Sequence, residues 1–120
     1  MKFGRQEMKV NRINSIADVA PVELRPGIMR RTLVHDTDHM LCHFHLDKGA
    51  VLELHSHEAA QIGYVLSGRV EFFKEDGSSF VVTDGGAYYF SSWEKHGSRV
   101  LEDTEFVEFF SPGRPEYVDD

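Results

Sequence analysis

Short runs of alternating apolar and polar residues, separated by turn residues, follow one another from residue 28 onward. Alternation with a period of two places the apolar side chains on one face of a β-strand, and a series of such runs is typical of a sandwich or barrel. No segment after residue 28 keeps a helical period. We therefore predict an all-β domain with strands at Ile28–Val34, Met40–Leu46, Val51–His57, Gln61–Leu66, Arg69–Lys74, Ser79–Thr83, Ala87–Phe90, Gly97–Leu101 and Phe106–Phe110.

The segments between these runs carry residues that favour turns. Asp76-Gly77 lies between two alternating runs and predicts a hairpin. Ser67-Gly68 and Glu102-Asp103 are also interpreted as turns. Residues 25–115 are predicted to form the barrel, and residues 116–120 a tail. Residues 1–24 are weakly patterned and predict an arm or strand at the interface of a homodimer.

Composition narrows the classes of function. The chain has 120 residues and a formal net charge of -7, without a block of Lys and Arg, which argues against a nucleic-acid partner. No apolar run reaches the roughly 20 residues of a membrane helix, and the N-terminus lacks the apolar core of a secretory signal. The single cysteine, Cys42, cannot form an internal disulfide. We predict a cytoplasmic protein that acts on a small molecule.

Histidine is the residue type that first suggests chemistry. The chain has seven histidines, and two of them form His55-Ser56-His57 at the end of a predicted strand. Alternation directs both imidazoles to the same face, where two neutral rings can reach one ion. A polar strand face turned to solvent is the alternative for an isolated pair of this kind.

The spacing around this pair is more specific than the pair itself. In a first block, Gly49 is followed by five residues, His55-Ser56-His57, three residues, Gln61, six residues and Gly68. In a second block, Gly85 is followed by five residues, Ser91, Trp93, two residues and His96. The two blocks resemble the signature motifs of the cupin family, in which Gly, five, His-X-His, three or four, Glu, six, Gly precedes Gly, five, Pro-X-Gly, two, His.

This resemblance spans roughly residues 25–115 and carries expectations for fold and site. It implies a jelly-roll, or double-stranded β-helix, barrel. It also implies one divalent metal ion, held by the matching residues His55, His57, Gln61 and His96. Mixed nitrogen and oxygen donors suit Zn, Ni, Fe, Mn or Cu, and four ligands leave positions open for substrate or water.

The sequence departs from the motifs at four positions. Ser91 replaces the proline, Trp93 the glycine and Val100 a terminal asparagine, while Gln61 stands where most of the family has glutamate. With Gln61 as a ligand, all four donors are neutral, so the ion keeps its full +2 charge and is a stronger Lewis acid. The alternative is that water takes the place of Gln61.

Three further positions are candidates for the pocket. Glu53 shares strand parity with His55, although a carboxylate at the rim is the alternative. The alternation in the last strand puts Glu108 on one face with two phenylalanines, where a buried carboxylate is costly unless it is paired or catalytic. An outward orientation of this face is the alternative. Arg114 is either a two-pronged ligand for a substrate carboxylate or a surface arginine.

Together these residues resemble one subgroup, the small single-domain cupins of the pectin-degradation type. Those enzymes linearise 4,5-unsaturated monouronates. The resemblance implies catalytic roles for Glu108, which stands where that group has aspartate, and for Arg114, with Phe110 packing on the sugar ring. Glu53 is a candidate substrate contact from its strand parity alone. Two alternatives remain: a cupin dioxygenase of the flavonol-cleaving or thiol-oxidising type, and a non-catalytic module that binds a small ligand.

Overall fold

The computed structural model describes residues 12–119, which form eight β-strands and two short 3₁₀ turns, at Ile16–Asp18 and Pro115–Tyr117. No helical segment in this part of the chain has the length and apolarity needed to cross a membrane. The strands are β1 (Val22–Arg25), β2 (Ile28–His35), β3 (Met40–Leu46), β4 (Val51–His55), β5 (Ala60–Lys74), β6 (Ser79–Thr83), β7 (Ala87–Phe90) and β8 (His96–Ser111).

The two longest strands, β5 and β8, each contribute to two layers of antiparallel sheet. The first half of β5 pairs with β7 and with the second half of β8, which also pairs with β3 and so continues to β2 and β1. The second half of β5 pairs with β6 and with the first half of β8, which also pairs with β4. Two layers joined by shared strands confirm the predicted all-β jelly-roll barrel.

The turns predicted at Ser67-Gly68 and Glu102-Asp103 are wrong, because both strands continue through these segments. Gly68 has a φ of 110°, and the ladder between β5 and β8 shifts register around it. A Cβ on Gly68 would lie 2.5 Å from the backbone oxygen of Asp103, so the two bends lie directly against each other. The turn residues therefore produce β-bulges that bend each strand from one layer into the other.

The interior between the layers follows the predicted alternation. In β3, Met40, Cys42, Phe44 and Leu46 are all buried. Buried aromatic and aliphatic side chains from both layers complete the core: Ile28, Val65, Val70, Phe72, Val82, Phe90, Val100, Phe106 and Phe110. Each fully buried side chain of this size contributes about 1.5–3 kcal/mol, so this face of the strands dominates the stability of the fold.

Both ends of the predicted barrel differ from the expectation. Residues 1–11 of the predicted arm lie outside the described residues, and β1 crosses the predicted boundary at residue 25. The predicted tail packs on the barrel, since Tyr117 contacts the rings of Phe44 and Phe110 and Asp119 pairs with the buried Arg30. The C-terminal segment therefore covers one end of the barrel, beside the candidate site.

Candidate metal centre and its surroundings

Three histidine side chains converge between the layers at one end of the barrel. His55 is the last residue of β4 and pairs in register with His96, the first residue of β8. His57 follows two residues after β4 rather than within it, contrary to the predicted strand Val51–His57. One ring nitrogen from each histidine lies within 4.8 Å of the others.

The backbone orients all three imidazoles in the same way. The Nδ1–H groups of His55, His57 and His96 donate to the carbonyl oxygens of Glu53, Ala59 and Glu94, at 2.7, 2.7 and 2.8 Å. This contact fixes the tautomer and leaves the lone pair on Nε2 of each ring. Nε2 of His57 is buried and has no hydrogen-bond partner. The arrangement therefore brings together three Nε2 atoms, each with its lone pair free of the backbone contact.

The protonation state of these rings suits a metal ion. Burial lowers the pKa of His55 and His57 and lowers the pKa of His96 to about 4. His96 also stacks on Phe90, with the ring centroids 4.2 Å apart. Neutral imidazoles are the ligating form, and a three-nitrogen set is typical of sites for transition-metal ions rather than Mg²⁺ or Ca²⁺. The residues present fit a divalent transition metal.

Gln61 lies beside this cluster and is oriented by a second side chain. It is buried on β5, and its Nε2 donates to Oε2 of Glu108 at 2.9 Å. Because this contact occupies the amide nitrogen, Oε1 is the remaining atom that can bind an ion. The carboxylate of Glu108 thus presents Gln61 as an oxygen donor.

Glu108 lies on the inner face of β8 and is only 6% exposed. Its Oε2 accepts hydrogen bonds from Tyr88 Oη at 2.6 Å and from Gln61. Burial raises the pKa of Glu108 to about 7, although both hydrogen bonds and the charge of Arg114 act in the opposite direction. A carboxyl group with this pKa can hold or release a proton near neutral pH.

Tyr88 and Gly63 were not identified from the sequence, and they build the contact to Glu108. Gly63 pairs with Glu108 on one side and with Tyr88 on the other. A Cβ on Gly63 would lie 1.9 Å from the ring of Tyr88, so only glycine lets this ring cross β5 to reach Glu108. A glycine inside a strand, next to a strand with an inward-facing tyrosine, is the signal that would have found them.

We predict that Gly63→Ala displaces the ring of Tyr88 and destabilises the fold by about 1–3 kcal/mol, as is usual for overpacking a core. Urea denaturation measures this loss. The double variant Gly63→Ala/Tyr88→Leu provides the control, because the smaller side chain removes the clash and is expected to restore part of the stability. A Gly63→Ala protein as stable as the wild type would contradict the described contact.

Two connected spaces adjoin the cluster. The inner cavity has a volume of about 40 Å³ and is lined by His55, Gln61, His96 and Glu108, among others. The mouth, a wider space of about 410 Å³, is lined by Leu24, Arg25, Leu52, Glu53, Leu54, His55, Ser56, Arg114 and Tyr117. The inner cavity has room for an ion and water, whereas the mouth has the volume of a small-molecule site.

A bulge in β4 breaks the strand parity that Glu53 was predicted to share with His55. From Leu52 to His55 the chain advances three residues, while their partners Ser98 and His96 are two residues apart. Leu52 and His55 consequently both line the inner cavity, and the exposed Glu53 lines only the mouth. The structure places Glu53 as a carboxylate at the rim.

Arg114 and Phe110 form one stacked unit beside the cluster. The guanidinium carbon of Arg114 lies 4.1 Å from the ring centroid of Tyr117 and 5.2 Å from that of Phe110. Arg114 lines both the inner cavity and the mouth. Phe110 has no exposed surface, so it does not offer the ring face that was expected to pack on a sugar. The ring of Phe110 packs against the guanidinium group of Arg114 instead.

Comparisons with known proteins agree with this architecture. A family model described as a cupin domain matches residues 42–111. The chain is 34% identical over 98 residues to the pectin degradation protein KdgF of Dickeya dadantii, which covers 80% of this chain and 88% of that protein. The structure of KdgF from a Halomonas species matches with a TM-score of 0.83 at 31% identity, covering 90% of this chain and 99% of that one. Oxalate decarboxylase OxdC of Bacillus subtilis is 38% identical over 73 residues, but these are only 19% of that protein.

Proposed function

The chain belongs to the cupin family, and we propose that it is a metal-dependent enzyme that linearises 4,5-unsaturated uronates. The relative from Dickeya dadantii is named as the pectin degradation protein KdgF, and the matching structure from a Halomonas species is also named KdgF. Both match over most of their length, which supports the proposed class of substrate. One observation carries the proposal. A buried carboxyl group, Glu108, is hydrogen-bonded to the residue that adjoins the three-histidine cluster.

The proposed metal ligands are Nε2 of His55, His57 and His96 together with Oε1 of Gln61. When bound, a divalent ion of Zn, Ni, Fe, Mn or Cu supplies Lewis-acid polarisation of a substrate oxygen. All four donors are neutral, so none of them offsets the charge of the ion. Gln61 has a second role, because its amide fixes the distance between this centre and the carboxylate of Glu108.

The dimensions of the two spaces restrict how a sugar binds. The inner cavity, at about 40 Å³, does not admit a hexuronate ring, so the ring lies in the mouth and directs only its edge toward the histidines. Arg114 and Arg25 line the mouth and are the candidates to hold the sugar carboxylate. Glu53 accepts hydrogen bonds from hydroxyl groups there.

Glu108 is the proposed acid and base. Linearisation is an isomerisation: the bond between the anomeric carbon and the ring oxygen breaks, a hydroxyl proton leaves, and a proton is added to carbon. One carboxyl group that takes up and returns a proton satisfies this balance without a further reactant. A pKa of about 7 places Glu108 where both protonation states are populated near neutral pH.

Loss of the ultraviolet absorbance of the double bond tests the proposed reaction. Purified protein with its metal content measured is incubated with a 4,5-unsaturated monouronate, and acceleration over buffer is expected. No acceleration by metal-loaded protein would overturn the proposal. Oxygen uptake with a diol substrate would then indicate a dioxygenase, and saturable binding without turnover a module that only binds its ligand.

Arg114→Lys is expected to lower kcat/KM for the unsaturated uronate by about 10- to 100-fold, mainly through KM. A bidentate contact between guanidinium and carboxylate contributes about 1.5–3 kcal/mol, and lysine keeps the charge but loses the second hydrogen bond. Steady-state kinetics measures the effect. Arg99→Lys is the control, because Arg99 is 53% exposed and pairs with Glu71 away from the site. Equal kinetics for Arg114→Lys and wild type would contradict this role.

The homodimer and the cytoplasmic location expected from the sequence remain proposals. The outer faces of β5 and β7 carry Ile62, Tyr64, Leu66 and Tyr89, which are 45–59% exposed. A row of exposed apolar side chains on one sheet face is typical of a surface that a partner covers. A second copy of the chain packed on this face is the proposed arrangement.

A further inference from the structure

Trp93 combines two unfavourable features that the proposed function does not explain. Its φ is 64°, and within residues 12–119 it is the only residue other than glycine with a positive φ. This left-handed conformation strains a residue with a bulky side chain, and the motif that the sequence resembles has glycine here. The indole is also 64% exposed, so it gains little from burial. A strained residue that persists without stabilising the core indicates a functional role.

The backbone holds Trp93 at a fixed position relative to the metal centre. Its N–H donates to the carbonyl oxygen of His57 at 2.8 Å. The loop is closed by Glu94, whose N–H donates to the Ser91 carbonyl at 3.1 Å and whose carboxylate accepts from the Ser91 N–H at 2.9 Å. These two backbone hydrogen bonds and the contact of the Glu94 carboxylate with Ser91 fix the loop next to His57. The exposed indole of Trp93 extends from this fixed loop.

A cleft of about 310 Å³ opens beside this indole. We name it the Trp93 cleft, and its walls include Trp93, His57, Glu58, Pro112, Arg114 and Glu116. Its volume is that of a small-ligand site. Arg114 and Ser56 also line the mouth, so the two spaces adjoin at these residues.

The chemistry of these walls suits a saccharide ring. An exposed indole offers a flat apolar surface for the C–H face of a pyranose. The carboxylates of Glu58 and Glu116 accept hydrogen bonds from hydroxyl groups, and Arg114 donates to an acidic substituent. Glu116 lies 3.3 Å from Nε of Arg114, which leaves the terminal nitrogens of the guanidinium for a ligand.

We propose that the Trp93 cleft is a second uronate subsite, in which the sugar ring stacks on Trp93 while its carboxylate contacts Arg114. The choice of sugar class rests on the proposed function. Arg114 lines both the mouth and the cleft, so a uronate in the cleft is held next to the site where the reaction is proposed.

The chain contains one tryptophan, so fluorescence reports on this residue alone. Metal-loaded protein is titrated with galacturonate, a saturated uronate that lacks the double bond, and affinity is measured in parallel by calorimetry. A saturable change in emission and protection from acrylamide quenching are expected. Trp93→Gly is expected to weaken calorimetric binding about 3- to 10-fold with unchanged metal content, because glycine keeps the backbone contact to His57 and tolerates the positive φ.

Two further variants separate stacking from general perturbation. Trp93→Phe keeps an aromatic face and is expected to retain most of the affinity, and Val81→Ala removes part of an exposed apolar side chain elsewhere and is expected to bind as the wild type. Unchanged emission at saturation, equal affinity of Trp93→Gly and wild type, or no binding of galacturonate would each overturn the proposal. Turnover of the unsaturated uronate by the same preparation would then show that the proposed function stands without this subsite.

Discussion

Replacing His96 with alanine is expected to abolish binding of the divalent ion and to lower kcat/KM by at least about 1000-fold. Lewis-acid stabilisation of developing charge contributes several kcal/mol, and each 1.4 kcal/mol changes the rate about tenfold. His96 is buried and lies close to both other imidazoles, with ring centroids 4.5 Å from His55 and 5.2 Å from His57. Elemental analysis and the ultraviolet assay measure the two effects.

His39→Ala is the matched control for this substitution. His39 is 59% exposed and pairs with Asp36 in the turn between β2 and β3, away from the site. This variant is expected to keep both metal content and activity, and circular dichroism checks that both proteins fold. If His96→Ala binds the metal as tightly as the wild type, the three-histidine centre is not the metal site.

Replacing Glu108 with glutamine is expected to lower kcat by about 100- to 10,000-fold, the range for removal of a general acid–base group. Glutamine has the same shape and still accepts the hydrogen bond from Tyr88, so the fold is retained. It no longer exchanges a proton with the substrate. The ultraviolet assay measures the rate, and metal content is expected to stay near that of the wild type because glutamine does not remove any of the proposed ligands.

Glu105→Gln serves as the control for Glu108→Gln. Glu105 lies on the same strand but is 44% exposed and faces His43 and His45 on the outer side of the sheet. Its substitution is expected to leave kcat unchanged. Full activity of Glu108→Gln would contradict the proton-transfer role and assign Glu108 to the orientation of Gln61 alone.

The alternation of side chains in strands allowed the inward residues to be predicted from the sequence. Glu108 lies on a regular part of β8, where the period of two is unbroken, and it is buried on the face that the alternation favoured. The resemblance of the two blocks to the cupin motifs implied that His55, His57 and His96 would meet, and the structure brings them together. The orientation of a side chain within a strand depends on local geometry, which the sequence encodes directly, whereas the meeting of the three histidines was implied by the family resemblance.

Features that depend on bulges or distant packing could not be predicted in this way. The extra residue in β4 breaks the parity between Glu53 and His55, and no turn residue in the sequence marks this bulge. Phe110 lies on the expected face, but whether it is reachable depends on Arg114 and Tyr117, which pack over it from the C-terminal segment. The alternation predicts which face of a strand a side chain lies on, but it does not predict which other segments of the chain cover that face.

X-ray absorption spectroscopy of the purified wild-type protein, combined with elemental analysis, tests whether the three imidazoles hold a divalent metal ion. One transition-metal ion per chain is expected, with three imidazole nitrogens at about 2.0–2.1 Å for zinc and oxygen ligands in the remaining positions. A spectrum without imidazole scattering, or stoichiometric metal retained by a variant in which His55, His57 and His96 are all alanine, would contradict it.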